Sequence, residues 1–290
     1  KGGLNLLYKK ISEFLFKLTN YLKLLFESSN VDINAKILAG ELVYEIISIS
    51  NSSELNMIKI LIKDILIMLY NCYQEYKNNK SNEKNIKSIL QILINIESID
   101  SSLLEIYFKD IFDISKQIIC LKNIDEQKIR EMSFELIISC IEDIPSLIEE
   151  SNNSYDIIFS IFDLMLYYSL DFDKNIEINS SDYLVDINND FEEYFLEDEI
   201  NFMISISGRL FESIENTFYQ KAFKNFISNY FNKSWKHQYI ILIFIISYCK
   251  YNKDINLFRQ LFKCLNDLLN SRENKVRFAT LYCIKIFAIE

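Results

Sequence analysis

Amphipathic helical segments recur along this chain, and that repetition limits its fold more than any other feature. Apolar and small residues follow the i, i+3, i+4, i+7 spacing of one helical face in three segments. The positions are Ala35, Leu38, Ala39, Leu42, Val43, Ile46 and Ile47, then Ile129, Met132, Ser133, Leu136, Ile137, Cys140 and Ile141, and last Val276, Ala279, Thr280, Cys283, Ile284 and Phe287. This pattern predicts helices that each bury one side.

Further amphipathic segments lie between these three, and together they form helix pairs. The predicted helices are 4–27 and 32–49, 54–77 and 84–97, 101–121 and 126–142, 154–170 and 200–215, 217–231 and 235–250, and 254–270 and 274–289. A period of roughly 40–47 residues with two helices per unit is typical of HEAT and armadillo repeats. The sequence therefore predicts an all-α, right-handed superhelical solenoid of about six HEAT repeats, each an antiparallel helix pair.

No domain boundary is visible within this stack. We predict one solenoid block over 1–290, a central fragment of a longer protein, with an acidic insertion over 171–199 inside the fourth repeat. The chain holds only four glycines and one proline. Because sheets with many tight turns use both residues more often, this scarcity favours long helices.

A basic side chain near the start of several predicted second helices is the next recurring feature. The positions are Lys36, Lys87, Arg130 and Arg277. A cation is mildly unfavourable at a helix N-terminus. We expect each cation to offset this by pairing with aspartates or carbonyl groups of an adjacent repeat. The alternative is that these are ordinary solvated charges.

The predicted insertion carries eleven acidic residues and one lysine. The acids are Asp171, Asp173, Glu177, Asp182, Asp186, Asp190, Glu192, Glu193, Glu197, Asp198 and Glu199. A block of like charges is usually a solvated loop. Interleaved aromatic and aliphatic residues favour a second interpretation, a docking strip for a basic partner, because a purely solvating segment contains fewer of them.

Acidic side chains also fall opposite the buried stripe of two predicted second helices. They are Glu41 and Glu45 on the first, and Glu131, Glu135 and Glu142 on the third. On a concave face they would form a negatively charged trough for a basic ligand, and otherwise they are ordinary solvated faces. Trp235 is either a core residue at a helix start or an exposed anchor for an aliphatic stem.

Catalytic, metal and cofactor sites find no support in the sequence. The one histidine, His237, begins an apolar helix and is expected to be packed or hydrogen-bonded. The glycines form no phosphate-binding loop. The six cysteines contain no close pair that would suggest zinc, and we predict reduced core thiols. We predict neither enzyme activity nor a bound metal or cofactor.

The formal net charge is −10. A general nucleic-acid binder needs a basic face, so we predict no direct nucleic-acid partner and favour a basic protein partner.

The longest apolar run is shorter than the about 20 residues that a helix needs to cross a bilayer, so no membrane insertion is expected.

Two segments of the sequence resemble motifs of a known protein family. "KSWKHQYIILIFIISYCK", followed one repeat later by "SRENKVRFATLYCIKIFA", is similar to consecutive second-helix motifs of karyopherin-β (importin-β) nuclear transport receptors. The order of "KIREMSFELIISCIED", a first helix, an acidic insertion and the Trp-Lys helix most resembles the Ran-binding protein five type import receptors. Gln238 stands where that family has arginine, and Ile240 and Ile241 where it has small residues.

The resemblance implies a receptor segment that shuttles between cytoplasm and nucleus. Such receptors bind basic cargo, such as ribosomal proteins or histones, on a concave face. They contact Phe-Gly nucleoporins and release cargo when Ran-GTP binds. In this family the acidic insertion lies near cargo and Ran. The alternative is a HEAT scaffold of another complex, for instance a phosphatase scaffold, and the insertion discriminates because uniform scaffold repeats lack it.

Overall fold

A computed structural model describes residues 2–79, 82–122, 126–149, 151, 153–172, 198–214, 217–251 and 255–289. These residues form thirteen α-helices and two short 3-10 turns, and the described part of the chain contains no strand. The chain consists of two compact units, Lys1–Ile144 and Pro145–Glu290.

The first unit holds three helix pairs. Their helices are α1 (Gly2–Glu27), α2 (Ile33–Ile49), α3 (Ser52–Asn79), α4 (Glu83–Ile99), α5 (Phe108–Ile119) and α6 (Gln127–Asp143). The second helices α2, α4 and α6 pack side by side in series, and the first helices α1, α3 and α5 do the same. The predicted helix pairing and repeat order are confirmed in this unit.

The second unit repeats the arrangement. After the one-turn helix α7 (Ser146–Glu149) come α8 (Ser154–Phe172), α9 (Asp198–Ser213), α10 (Thr217–Tyr230), α11 (Trp235–Tyr251), α12 (Ile255–Leu268) and α13 (Asn274–Ile289). The second helices α9, α11 and α13 again pack in series. The predicted fold class, an all-α solenoid of paired helices, is confirmed.

Local sequence signals explain where several helices begin. Asp32 precedes α2, and its carboxylate accepts a hydrogen bond from the Asn34 backbone N–H at 2.9 Å. Asn51 and Glu54 exchange side-chain to backbone hydrogen bonds at the start of α3, which is a capping box. These caps satisfy donors that have no partner inside the helix.

The third pair begins differently from the prediction of one helix over 101–121. Two 3-10 turns, Ser101–Leu103 and Glu105–Tyr107, precede α5. The carboxylate of Asp100 accepts the Ser102 N–H at 3.1 Å, and the Asp100 carbonyl accepts the Leu103 N–H at 3.1 Å. These i to i+2 and i to i+3 bonds tighten the entry to the helix.

Burial confirms the predicted inner faces of α6 and, in large part, α13. All seven predicted positions on α6 are buried, as are Val276, Ala279, Thr280 and Cys283 on α13. On α2 the prediction is confirmed for Ala39, Val43, Ile46 and Ile47, which are buried. It was wrong for Ala35, which is exposed, and for Leu38 and Leu42, which are 63% and 43% exposed. Within its unit, α2 packs against one other second helix, α4. The side of α2 that carries Leu38 and Leu42 therefore has no second helix against it.

The recurring cations bind within their own helix pair. Lys36 Nζ donates to the Phe26 carbonyl oxygen at 2.7 Å, and Arg130 Nε donates to the Ile119 carbonyl oxygen at 2.9 Å. Arg277 Nη1 donates to the Ser271 carbonyl oxygen at 2.6 Å. The expected carbonyl pairing is present, and these three bonds lie within a helix pair rather than between adjacent repeats. Each cation reaches back across the turn to the preceding first helix or its exit.

Lys87 does not belong to this set. The cations follow their N-cap residues Asp32, Glu126 and Glu273 by four positions, whereas the fourth position after the N-cap Asn82 is Ile86. Ile86 is fully buried and Lys87 is exposed. A shift of one residue rotates a helical side chain by about 100°, which takes Lys87 away from the turn.

The second unit has a core rich in aromatic rings. Phe223 lies 5.2 Å from Phe162, 5.2 Å from Phe211 and 4.9 Å from Tyr248, measured between ring centroids. Phe211 meets Tyr248 edge to face at 5.3 Å. These contacts join α8, α9, α10 and α11, and such ring pairs add about 0.5–1.5 kcal/mol each beyond burial.

Candidate functional site

The polar side of the second helices in the first unit is the best candidate surface. Helices α2 and α4 pack closely, since a Cβ on Gly40 would lie 3.1 Å from Ile92 Cδ1. Positions nine and thirteen after each N-cap are equivalent positions of neighbouring repeats, and each of them carries a polar side chain. On α2 these positions are Glu41 and Glu45, and both side chains are exposed.

The α4 positions of this surface carry amides rather than acids. Gln91 and Asn95 occupy them, and Gln91 Nε2 donates to Asn95 Oδ1 at 2.8 Å. Sequence reasoning missed both residues because it selected only charged side chains. An alignment of the three second helices at their N-caps would have found them.

The acids on α6 are partly held by their own helix. Glu131 is half-buried, accepts a hydrogen bond from Gln127 Nε2 at 2.9 Å and lies 3.5 Å from Lys128 Nζ. Glu135 is half-buried and accepts from Ser139 Oγ at 3.3 Å. Glu142 is exposed in the last turn of the helix. We define the polar face as Glu41, Glu45, Gln91, Asn95 and Glu135, a strip of carboxylates interrupted by amides.

The second unit does not continue this face on α11. Residues 239–249 of that helix are all buried, and Ser247 Oγ pairs with Ser207 Oγ of α9 at 3.0 Å. At the start of α11, Trp235 is half-buried with Lys236 Nζ 5.5 Å from its ring centroid. It is thus neither a fully buried core residue nor a fully exposed anchor.

His237 is packed and hydrogen-bonded, as predicted. Its ring stacks on Tyr230 with centroids 6.4 Å apart, and its Nδ1 lies 2.7 Å from Ser234 Oγ. Burial lowers the pKa of His237, and the nearby Lys233 lowers it further.

Most of the predicted acidic insertion lies outside the described residues. This applies to Asp173, Glu177, Asp182, Asp186, Asp190, Glu192, Glu193 and Glu197. Asp171 is half-buried in the last turn of α8, and Asp198 and Glu199 begin α9. The insertion therefore joins the first and second helix of one pair.

A groove lies between the first helices α3 and α5. Its volume is about 340 Å³, and Leu66 and Ile114 are its buried apolar residues. Ile67 and Tyr70 are each 48% exposed at its side. The exposed Asp110 and Asp113 also line it. The exposed Lys63 lines it as well, so the groove combines an apolar floor with a charged rim of two carboxylates and one ammonium group.

Among the described residues, no group of His, Cys, Asp and Glu has the arrangement of a metal site. No described helix is long and apolar enough to cross a membrane. Cys72, Cys140, Cys249 and Cys283 are buried free thiols, as predicted, whereas Cys120 is exposed and Cys264 is half-buried.

No protein-family model and no curated protein sequence matches this chain. Solved structures do match it. A structure of Kap121p bound to Nup53p matches with a TM-score of 0.76 at 13% identity, over 93% of this chain and 26% of that one. Kap121p bound to RanGTP matches with a TM-score of 0.71 at 15% identity, over 90% and 25%. In fold, this chain is similar to a quarter of Kap121p.

A third match agrees with these two. The structure of the karyopherin Kap121p bound to the SUMO protease Ulp1p matches with a TM-score of 0.72 at 15% identity, over 92% of this chain and 25% of that one. At such identities the likeness establishes the fold. The chain spans about a quarter of the length of the structures that it matches.

Proposed function

We propose that this chain is a segment of a karyopherin-β nuclear transport receptor, of the Ran-binding protein five type, that binds basic cargo. The observation that carries the proposal is the match of 92% of the chain to Kap121p with a TM-score of 0.73. Two features of the sequence support the same family independently of the fold. They are the second-helix motifs that begin at Lys233 and Ser271, and the acidic insertion over 171–199.

The polar face of the first unit is the proposed cargo surface. Carboxylates of Glu41 and Glu45 suit lysine and arginine, and the amides of Gln91 and Asn95 suit the backbone of an extended peptide. Each exposed ion pair contributes only about 0.2–1 kcal/mol. Several together would steer a basic segment and hold it. The acidic insertion of the second unit is a separate candidate for the same class of ligand.

The groove between α3 and α5 is the proposed contact for Phe-Gly nucleoporins. Its apolar floor of Leu66 and Ile114 can bury an aromatic ring, and it lies on the first helices, away from the polar face. Cargo and nucleoporin would therefore bind at the same time. This arrangement suits a receptor that shuttles between cytoplasm and nucleus.

Cargo release by Ran-GTP is part of the same proposal. One ligand lowers the affinity of another only if the two prefer different states of the protein. A stack of helix pairs offers such states, because small shifts at many interfaces add up. In the intact receptor, Ran-GTP should weaken cargo binding, and an unchanged cargo affinity would contradict this part.

Exposed apolar side chains of α1 and α2 support the proposal that the block is central in a longer receptor. Phe14 is 62% exposed, Tyr21 65%, Leu38 63% and Ile49 83%. Another helix pair packed on α1 and α2 would cover such residues, as α3 and α4 cover the opposite side. In sedimentation, the isolated chain should self-associate, and Phe14→Lys with Leu38→Lys should reduce this.

The first test is fluorescence anisotropy of a labelled Lys/Arg-rich ribosomal-protein segment, with a scrambled peptide of equal charge beside it. Glu41→Gln, Glu45→Gln and Glu135→Gln together should weaken binding several-fold at physiological salt. The control removes three exposed carboxylates from first-helix segments, by Glu13→Gln, Glu105→Gln and Asp156→Asn. Equal weakening by both variants, or equal binding of the scrambled peptide, would contradict the proposal and favour a plain scaffold.

A second arm tests the insertion. Deletion of residues 173–197 should leave the helical circular dichroism signal and reduce binding of the basic segment. Loss of the folded signal would mean that the insertion is structural, and unchanged binding would remove it from the cargo site.

A further inference from the structure

The overall charge of −10 conceals a basic region. Residues 201–290 contain thirteen Lys or Arg residues and six Asp or Glu residues, so their formal charge is +7. The first 200 residues carry the acidic excess. A partner that contacts only residues 201–290 therefore meets a positively charged surface, although the whole chain is negatively charged.

Several of these cations lie together at one edge of the second unit. The turn 231–234 leads from α10 into α11, and the turn 269–273 leads from α12 into α13. Helices α11 and α13 pack against each other, and Lys275 Nζ in the first turn of α13 lies 5.6 Å from the Tyr239 ring centroid of α11. The two turns and the two helix starts are thus neighbours.

We define the basic edge as Lys233, Lys236, Arg272, Lys275 and Arg277. Lys233 and Arg272 are exposed, Lys236 and Arg277 are half-buried, and Lys275 is buried. The first turns of α11 and α13 contain no acidic residue. Glu273, the N-cap of α13, contributes the one carboxylate of the two turns. Asp163 of α8 approaches from below, where it accepts a hydrogen bond from Tyr230. Five cations against these two carboxylates leave the edge with a net positive charge.

Backbone groups add to this potential. The N-terminus of a helix carries roughly half a positive charge from its unpaired N–H groups. Helices α11 and α13 both begin at the basic edge, so these partial charges reinforce the five cations instead of being neutralised by acidic side chains. The edge is therefore suited to carboxylate or phosphate groups.

Two observations favour carboxylates on a protein over nucleic acid. The aromatic rings at the edge already have ammonium groups over them, since Lys233 Nζ lies 4.1 Å from the Tyr230 ring centroid and Lys236 Nζ 5.5 Å from that of Trp235. Single-stranded nucleic acid gains much of its affinity from free rings on which bases stack. A long polyanion would also be repelled by the acidic remainder of the chain, whereas a short peptide feels mainly the local field.

We propose that the basic edge binds a short acidic segment of a partner protein, whose Asp and Glu side chains pair with Lys233, Lys236 and Arg272. This surface lies in the second unit, whereas the polar face belongs to the first. It has the opposite charge, so the proposal holds whether or not the chain carries basic cargo.

The test uses this 290-residue chain and a fluorescein-labelled ten-residue peptide of glutamate and aspartate, by anisotropy at physiological ionic strength. Lys233→Gln, Lys236→Gln and Arg272→Gln together should raise the Kd at least tenfold. The matched control removes three exposed cations of the first unit by Lys84→Gln, Lys109→Gln and Lys116→Gln, and should change the Kd less than twofold. Equal weakening by both variants would overturn the proposal.

Two further arms exclude the other occupants. A ten-nucleotide oligothymidine that binds more tightly than the peptide, and loses affinity in the edge variant, would overturn the choice of a protein partner. Carbodiimide joins a lysine to a carboxylate only when the two are in contact. Cross-links from Lys233 or Lys236 to residues 173–197 within the free chain would show that its own acids occupy the edge, and would overturn the proposal. Their absence is expected.

Discussion

Arg130 Nε donates a hydrogen bond to the carbonyl oxygen of Ile119 at 2.9 Å, across the turn between α5 and α6. Arg130 is only 1% exposed. Lys36 makes the corresponding bond to Phe26, and Arg277 to Ser271. A cation that is unfavourable at the start of its own helix is favourable at the end of the preceding one, because the carbonyl groups there carry partial negative charge. The recurring cation thus fixes the turn inside each of these pairs.

Replacement of Arg130 should destabilise the first unit strongly. Arg130→Met keeps much of the side-chain volume but removes a charge-assisted hydrogen bond and leaves the Ile119 carbonyl without that donor. We expect a loss of about 2–4 kcal/mol in the free energy of unfolding, measured by urea denaturation. Lys87→Met is the control, since Lys87 is exposed one position out of register, and it should cost less than about 0.5 kcal/mol. Similar losses for both would contradict the role given to Arg130.

The contact between Gly40 and Ile92 predicts a coupled pair of substitutions. Alanine is favoured over glycine inside a helix by about 1 kcal/mol, but its Cβ at position 40 would lie 3.1 Å from Ile92 Cδ1. We expect Gly40→Ala to be close to neutral in the wild-type chain and stabilising in an Ile92→Val background, which lacks that Cδ1 atom. A double-mutant cycle by urea denaturation measures the coupling, and additive effects would show that the helices do not meet there.

His237 should make the stability of the chain depend on pH. Burial and Lys233 place its folded-state pKa below the ordinary value of 6.5. The unfolded chain therefore takes up this proton first as the pH falls, so stability is lost from about pH 6.5 downward until the folded pKa is reached. The chain has one histidine, so its ring proton resonance in NMR reports the titration directly. Lys233→Gln should raise the midpoint, and an unchanged midpoint would contradict the contribution of Lys233.

Thiol reactivity should follow burial. Burial raises the pKa of Cys120, Cys72 and Cys283, to about 11 for Cys72 and about 12 for Cys283. Cys120 is nevertheless exposed to a reagent, whereas Cys72 and Cys283 are buried. The thiolate is the reactive form, so a disulfide reagent at pH 8 should modify Cys120 first and Cys72 and Cys283 only after unfolding. Cys120→Ser should remove the fast phase. In this variant, the half-buried Cys264 is the one remaining thiol that we expect to react early. Fast modification of more than one thiol would contradict the burial of the others.

The sequence by itself determined the helices and their pairing. Spacing of apolar residues and the scarcity of glycine and proline set the helix bounds to within a few residues, because helical periodicity and caps are local properties of the chain. The buried faces of α6 and α13 followed from the same spacing. The helix predicted to begin at position 101 is an exception, because the Asp100 cap favours 3-10 turns there over an α-helix.

Only the tertiary structure decided what the side chains contact. The partner of Arg130, the exposure of Leu38 and the amides of Gln91 and Asn95 in the polar face all depend on which helices lie beside one another. The basic edge has the same origin, because the starts of α11 and α13 are far apart in sequence and come together when the two helices pack. Local periodicity fixes a helix and its apolar side, whereas contacts between helices depend on packing across long sequence separations.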